Sequence, residues 1–219
     1  SDTIAGHLPF AVTFTLAGYP RALEKATLPV ERAIAQMREI ANRFGPRVLV
    51  LPGWLNSGPD HWQSRWEALY GDQRVAQHDW ETPRRGDWMA RLEEVLLQDE
   101  RPALLVAHSL GCILTAAWAA HSLNTARVLG ALLVAPGDTE DPDLGPQLPS
   151  WAPIVRQPFA SILVGSHNDP YCRFDKAQAL AQAWGSHFVD LGARGHINAE
   201  SGLGDWPEGR VWLNTLNKG

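Results

Sequence analysis

Cysteine, long apolar runs and clustered positive charge are all scarce in this chain of 219 residues, and each scarcity excludes a class of protein. Cys112 and Cys172 are the two cysteines. They have neither CxxC spacing nor the density of a disulfide scaffold, so free thiols and a cytoplasmic location are expected. No apolar run approaches the roughly 20 residues that span a bilayer. The first residues lack a basic stretch followed by an apolar core, so nothing points to a secretory signal. Lys and Arg number 19 against 24 Asp and Glu, a formal charge of -5; Arg84 and Arg85 are an isolated pair, and no basic face for nucleic acid is expected. The sequence also has no internal repeat and no low-complexity tract. His167-x-Asp169 lacks a third ligand at recognisable spacing, and the Gly-rich loops lack the Lys-Ser/Thr of a P-loop, so neither metal nor cofactor is expected.

What is present is an ordinary globular composition, 45% hydrophobic and 20% charged, at a length suited to one core. From Arg47 onward, short apolar runs alternate with longer amphipathic or Ala-rich segments, the pattern of a mostly parallel α/β sheet. Strands are expected over Arg47–Leu51, Val75–Asp79, Ala103–Ala107, Val128–Val134, Ile162–Gly165 and Phe188–Leu191. Apolar residues at helical spacing mark helices over Trp88–Leu97, Leu110–His121 and Asp175–Trp184. Residues 1–45 differ from the body at 46–219. Ala11–Leu16 could form a strand, and Val30, Ile34, Met37, Ala41 and Phe44 share one helical face, so this extension is expected to pack on the body. From Pro136 to Pro158, Pro142, Pro146, Pro149, Pro153 and Pro158 forbid a long helix, which leaves room only for a minimal lid.

The sharpest chemical signal is Ala107-His108-Ser109-Leu110-Gly111, lodged between the apolar strand Ala103-Leu104-Leu105-Val106 and an Ala-rich helix. That is the setting of a nucleophile elbow, in which small residues two before and two after the serine let the chain turn sharply. Ala107 stands where the usual GxSxG pattern has its first glycine. The plainer reading, a serine that merely caps a helix, fits the same five residues; what favours a nucleophile is that two partners follow in the order the chemistry needs. A hydroxyl requires a base to take its proton, and imidazole titrates near neutrality. Of eight histidines, His196 follows the last expected strand in a loop bent by Gly192 and Gly195. The acid that orients it should lie between serine and histidine. Asp169 directly follows the strand Ile162–Gly165, with Asp138, one strand earlier, as its competitor.

Acyl transfer also needs N–H groups aimed at a developing oxyanion: that of Leu110, and one from the loop after the first strand, Leu51-Pro52-Gly53-Trp54-Leu55. Gly53 permits a close approach, and Trp54 or Leu55 supplies the second amide; spacing does not decide between them. Trp54, His61, Trp62 and Trp66 could wall an acyl pocket, although core packing explains most of the ten tryptophans.

These segments resemble the small serine hydrolases related to retinoblastoma-binding protein 9 and the bacterial YdeN-like proteins. The residues that carry the resemblance are Pro52-Gly53-Trp54 with Trp62 and Trp66, Ala107 to Gly111, Val134-Ala135-Pro136, Ser166 to Cys172, and Gly195-His196-Ile197-Asn198. It covers about Arg47 to Asn217. The resemblance implies an α/β-hydrolase fold with helices on both faces of the sheet, a Ser109-Asp169-His196 triad, and hydrolysis of small carboxylic esters or related acyl bonds. The LxCxE segment tied to retinoblastoma binding has no counterpart, since Leu110-Gly111-Cys112 is followed by Ile113-Leu114. Peptide or thioester substrates fit the same triad, and a non-catalytic interaction module on a hydrolase fold is the rival class.

Overall fold

The apolar runs that follow Arg47 pair into one sheet. The computed structural model describes residues 32–36, 45–143, 148, 151 and 156–217, and its chain divides into two units, Ser1–Ala41 and Asn42–Gly219. In the first unit residues 32–36 are helical, inside the helical face expected there; the strand expected over Ala11–Leu16 lies outside the described residues.

In the second unit the elements follow as β1 (Arg47–Leu51), α1 (Trp62–Tyr70), β2 (Gln73–Arg74), α2 (Arg85–Leu97), β3 (Ala103–Ser109), α3 (Leu110–Ala119), β4 (Val128–Pro136), β5 (Ala160–Gly165), α4 (Phe174–Trp184), β6 (His187–Asp190) and α5 (Pro207–Thr215). Every strand pairing is parallel, and the strand order is β2-β1-β3-β4-β5-β6. This is an α/β-hydrolase fold. The order reverses between β1 and β3, so the crevice beyond their carboxyl ends is where a ligand is expected in an open sheet.

Alternation along the strands builds two cores. Leu49, Leu51, Leu105, Ala107, Leu133 and Leu163 face one side with Trp88 and Leu92 of α2, most of α3, and Ala177, Leu180 and Trp184 of α4. Leu104, Val106, Leu132, Val134 and Val164 face the other, with Trp62 and Trp66 of α1 and Leu213 of α5. α3 is buried on nine of its ten residues, as a helix apolar all round must be.

The sheet corrects one expectation. The strand placed over Val75–Asp79 is β2, at Gln73–Arg74; it pairs through Leu49 with Gln73 and Val50 with Arg74. One further bond, from Val75 N–H to Val50 O at 2.9 Å, closes the ladder. Beyond it β1 runs into Pro52, which has no N–H to offer, and the chain leaves the sheet. Val75 and Gln77 are buried even so, and that period-two burial imitates a strand. The helices α1 and α5, short and rich in polar residues, were not marked by apolar periodicity. Between β4 and β5 the described residues contain no helix or strand. Leu148 and Trp151 of this segment are buried, with the Trp151 ring meeting Trp88 edge-on at 5.5 Å.

Candidate active site

At the end of β3 the chain passes from strand to helix in a single residue. Ser109 carries that turn at φ 54°, ψ -121°, a conformation that costs a side-chain-bearing residue about 1–3 kcal/mol and persists only where its surroundings enforce it. The surroundings are small residues. A Cβ on Gly111 would lie 2.1 Å from Leu51 O, and one on Gly53 would lie 2.6 Å from Ser109 Cβ. Gly53 therefore permits a close approach, and what it approaches is Ser109 itself. Gln63, fully buried, ties the strand ends together by donating from Nε2 to Leu51 O (3.3 Å) and Val106 O (3.1 Å).

Ser109 at the end of β3 and Asp169 and His196 on two separate loops form one hydrogen-bonded line. His196 Nε2 lies 2.9 Å from Ser109 Oγ, and Nδ1 lies 2.9 Å from each oxygen of Asp169. A carboxylate only accepts, so Nδ1 holds the imidazole proton and Nε2 is left to accept from the Ser109 hydroxyl. The Asp169 carboxylate is itself held by Tyr171 N–H at 2.9 Å, and its side chain is 3% exposed. Asp138, the competing acid, accepts from Glu140 N–H at 3.1 Å and sits 3.8 Å from Lys176 Nζ; it makes no bond to His196 among the described residues.

The loop after β1 supplies amides beside Ser109. Leu55 N–H donates to Trp80 O at 3.1 Å, and the Leu55 side chain is 63% exposed. Trp54 N–H has no partner among the described residues, while its indole Nε1 donates to Glu81 O at 2.9 Å. Leu110 N–H, at the first turn of α3, likewise has none, as expected of a helix start. Of the two amides that spacing left open, that of Leu55 is committed elsewhere and that of Trp54 is not, among the described residues.

A cleft of about 280 Å³ opens over these groups. Trp54, Leu55, Leu110, Leu148 and Tyr171 give it apolar walls, and Asn56, His61, His108, Asp138, Thr139 and Asn198 give it polar ones. Trp62 and Trp66 belong to the core instead, at 1% and 0% exposure. Burial, then the neighbouring His196 and Arg74, pulls His61 down to about 3. Its Nδ1 accepts from Gln63 N–H at the start of α1. Tyr171, whose ring meets that of His196 at 4.6 Å, was not singled out by sequence; its place two residues after Asp169 is the signal that could have found it. Cys112 and Cys172 are buried free thiols. Burial pushes the first well up and the second up to about 12, so neither offers a thiolate near neutral pH. Among the described residues, no group of three or more His, Cys, Asp and Glu could hold a metal, and no helix is long and apolar enough to cross a membrane.

Comparisons with known proteins bear on the fold and the family. A protein from Pectobacterium atrosepticum assigned as a YdeN-like hydrolase is 29% identical, over 84% of this chain and 96% of its own, with a TM-score of 0.73. The ydeN gene product of B. subtilis is 22% identical over 78% of this chain and 98% of its own, with a TM-score of 0.65. A monoacylglycerol lipase from Paleococcus ferrophilus is 11% identical over 80% and 96%, with a TM-score of 0.58; at the last two identities the likeness shows the fold alone. No curated protein matches the sequence. A family model described as serine hydrolase matches residues 48–215, most of the sheet unit and every candidate site residue, and the chain therefore belongs to the serine hydrolase family.

Proposed function

We propose that the protein hydrolyses small carboxylic esters or closely related acyl bonds through an acyl-enzyme, with Ser109 as nucleophile, His196 as base and Asp169 as the acid that holds the base. The observation that carries this reading is the unbroken line from Ser109 Oγ through His196 to Asp169, each link at 2.9 Å. Ser109 Oγ attacks the substrate carbonyl carbon while its proton passes to His196 Nε2. The carbonyl oxygen becomes an oxyanion, and the free N–H groups of Leu110 and Trp54 are the donors for it. His196 returns the proton to the leaving group, whose bond to the acyl carbon breaks. Water then repeats the sequence on the acyl-enzyme and frees a carboxylic acid. Asp169 accepts from Nδ1 throughout and stabilises the imidazolium.

The apolar walls of Trp54, Leu55, Leu110 and Leu148 favour an uncharged, short acyl group. A fluorophosphonate probe should label the protein at Ser109, located by peptide mass spectrometry. Ser109→Ala should abolish labelling and lower turnover of a p-nitrophenyl ester by about 10⁴- to 10⁶-fold. A Ser109→Ala protein that still turns over the ester at the parent rate sinks the assignment. A panel of esters, thioesters and peptides then ranks the leaving groups.

A further inference from the structure

His196 stands on a loop whose backbone visits the left-handed region three times. Gly192 and Gly195 take φ of 74° and 57°, and Ile197 takes 49°. Asp169 fixes the rotation of the imidazole, but it cannot fix the main chain that carries it. Two side chains from regular elements do. His108 Nε2 lies 2.8 Å from His196 O, and Trp62 Nε1 donates to Ile197 O at 2.9 Å. Consecutive carbonyls of the loop are thus held by two ring N–H donors. A carbonyl oxygen accepts and never donates, so the proton of His108 resides on Nε2. Burial, reinforced by His61 and His196, keeps this imidazole far below the ordinary histidine range, which leaves it neutral with a single proton to give.

Both donors are anchored. His108 is the residue of β3 immediately before Ser109 and is 5% exposed. The His61 ring packs edge-on against it at 4.6 Å, and its own ring meets that of His196 at 4.8 Å. Trp62 is the first residue of α1 and is 1% exposed. Ile197 is fully buried on the same side.

We infer that His108 is a positioning residue, whose Nε2–H ties the main chain of His196 to the strand that carries Ser109 so that nucleophile and base keep their spacing, with Trp62 as the second point of the clamp. The inference rests on the reading of Ser109 and His196 as nucleophile and base. It assigns His108 no contact with substrate. A displacement of about 1 Å in a reacting pair costs on the order of 10²-fold in rate, and that sets the size of effect to look for.

The test compares wild type, His108→Leu, His108→Gln and Trp62→Phe by the rate constant for fluorophosphonate labelling of Ser109 and by kcat and KM on p-nitrophenyl acetate, with cooperative unfolding verified for each. Leu removes the donor, Gln keeps a nitrogen donor near the Nε2 position, and Phe keeps the Trp62 packing without its N–H. Labelling and kcat should fall about 10- to 100-fold in His108→Leu with KM within about threefold, return to within about fivefold in His108→Gln, and fall about tenfold in Trp62→Phe. A folded His108→Leu at the wild-type rate overturns the clamp while the Ser109 reading stands. So does a His108→Gln no better than Leu, since packing would then be the cause. If His108→Leu does not fold, wild-type rates in Trp62→Phe overturn it. Folded wild type that fails to label overturns the Ser109 reading first, and the catalytic purpose of the clamp with it.

Discussion

Gly111, Gly53 and Gly58 differ in what a methyl group would meet, and the differences separate stability from chemistry. At Gly111 a Cβ would press on Leu51 O at 2.1 Å and Pro52 O at 3.0 Å, both backbone atoms that cannot turn away. Gly111→Ala should therefore part α3 from the end of β1 and destabilise the protein by about 3 kcal/mol, the upper range for overpacking. At Gly53 the Cβ would meet the side chain of Ser109 at 2.6 Å. Gly53→Ala should cost less stability but slow Ser109 labelling by about 10²-fold, because it moves the reacting oxygen. At Gly58 nothing lies within 4 Å, and Gly58→Ala should change stability by no more than about 0.5 kcal/mol. Denaturant unfolding and probe labelling of the three variants measure both axes. Equal labelling by Gly53→Ala and Gly58→Ala would contradict the close approach assigned to Gly53. This residue-level chemistry was legible in sequence where it is local: Ser109, its flanking small residues, and a histidine and an aspartate each just past a strand. The roles of His108 and Trp62 were not, since each depends on a loop that is distant in the chain.

At the scale of elements, α2 ends on carbonyls that no residue of its own can satisfy, and a side chain from the neighbouring strand satisfies them. Arg47, the first residue of β1 and 7% exposed, donates from Nη1 to Val95 O at 3.0 Å and from Nη2 to Leu96 O at 2.6 Å and Asp99 O at 3.2 Å. One planar guanidinium thus holds the C-terminal turn of α2 against the sheet, where positive charge also suits the helix dipole. Arg47→Met keeps the apolar stem and strands those carbonyls. It should lower stability by about 2–4 kcal/mol in urea unfolding, while the protein that remains folded labels at Ser109 at the wild-type rate. A loss below about 0.5 kcal/mol would mean that water replaces the guanidinium. The same element shows the limit of periodicity. Trp88, Leu92, Val95 and Leu96 announce α2 by spacing, yet its tether at Arg47 is a polar contact that no hydrophobic pattern encodes. α1 was missed for a related reason. Its buried side include Trp62, Gln63 and Trp66, and a buried glutamine serving β1 and β3 reads in sequence as one more exposed position.

For the molecule as a whole, the parallel sheet was legible because each central strand is a continuous apolar run buried on both faces, as parallel sheets require. What sequence did not reveal is the cost of placing neutral histidines against that core. His61, drawn down to about 3, and His108, held by burial well below the ordinary histidine value, are neutral in the folded state at mildly acid pH. In the unfolded chain both take one near pH 6.5. For His61 the unfolded state therefore binds more protons throughout the interval from about pH 6.5 down to about 3, and stability must fall as pH falls through it, by about 1.4 kcal/mol per pH unit once well inside the interval, while His108 adds a loss of the same sign. Glu93 and Asp190, whose carboxyl groups lie below their ordinary values, add a loss of the same sign only below about pH 4.5, and Asp72, whose carboxyl is raised by burial, acts in the opposite sense, so a decline from pH 6.5 to 5 is the signature of the histidines. Urea midpoints at pH 7.5, 6.0 and 5.0 should decline accordingly. His61→Asn keeps an acceptor for Gln63 N–H at the start of α1 but cannot titrate, and it should make the slope shallower than that of the parent. A variant with the slope of the parent would mean that His61 takes up its proton without unfolding the site, and a flat profile in wild type would mean that neither histidine is held neutral.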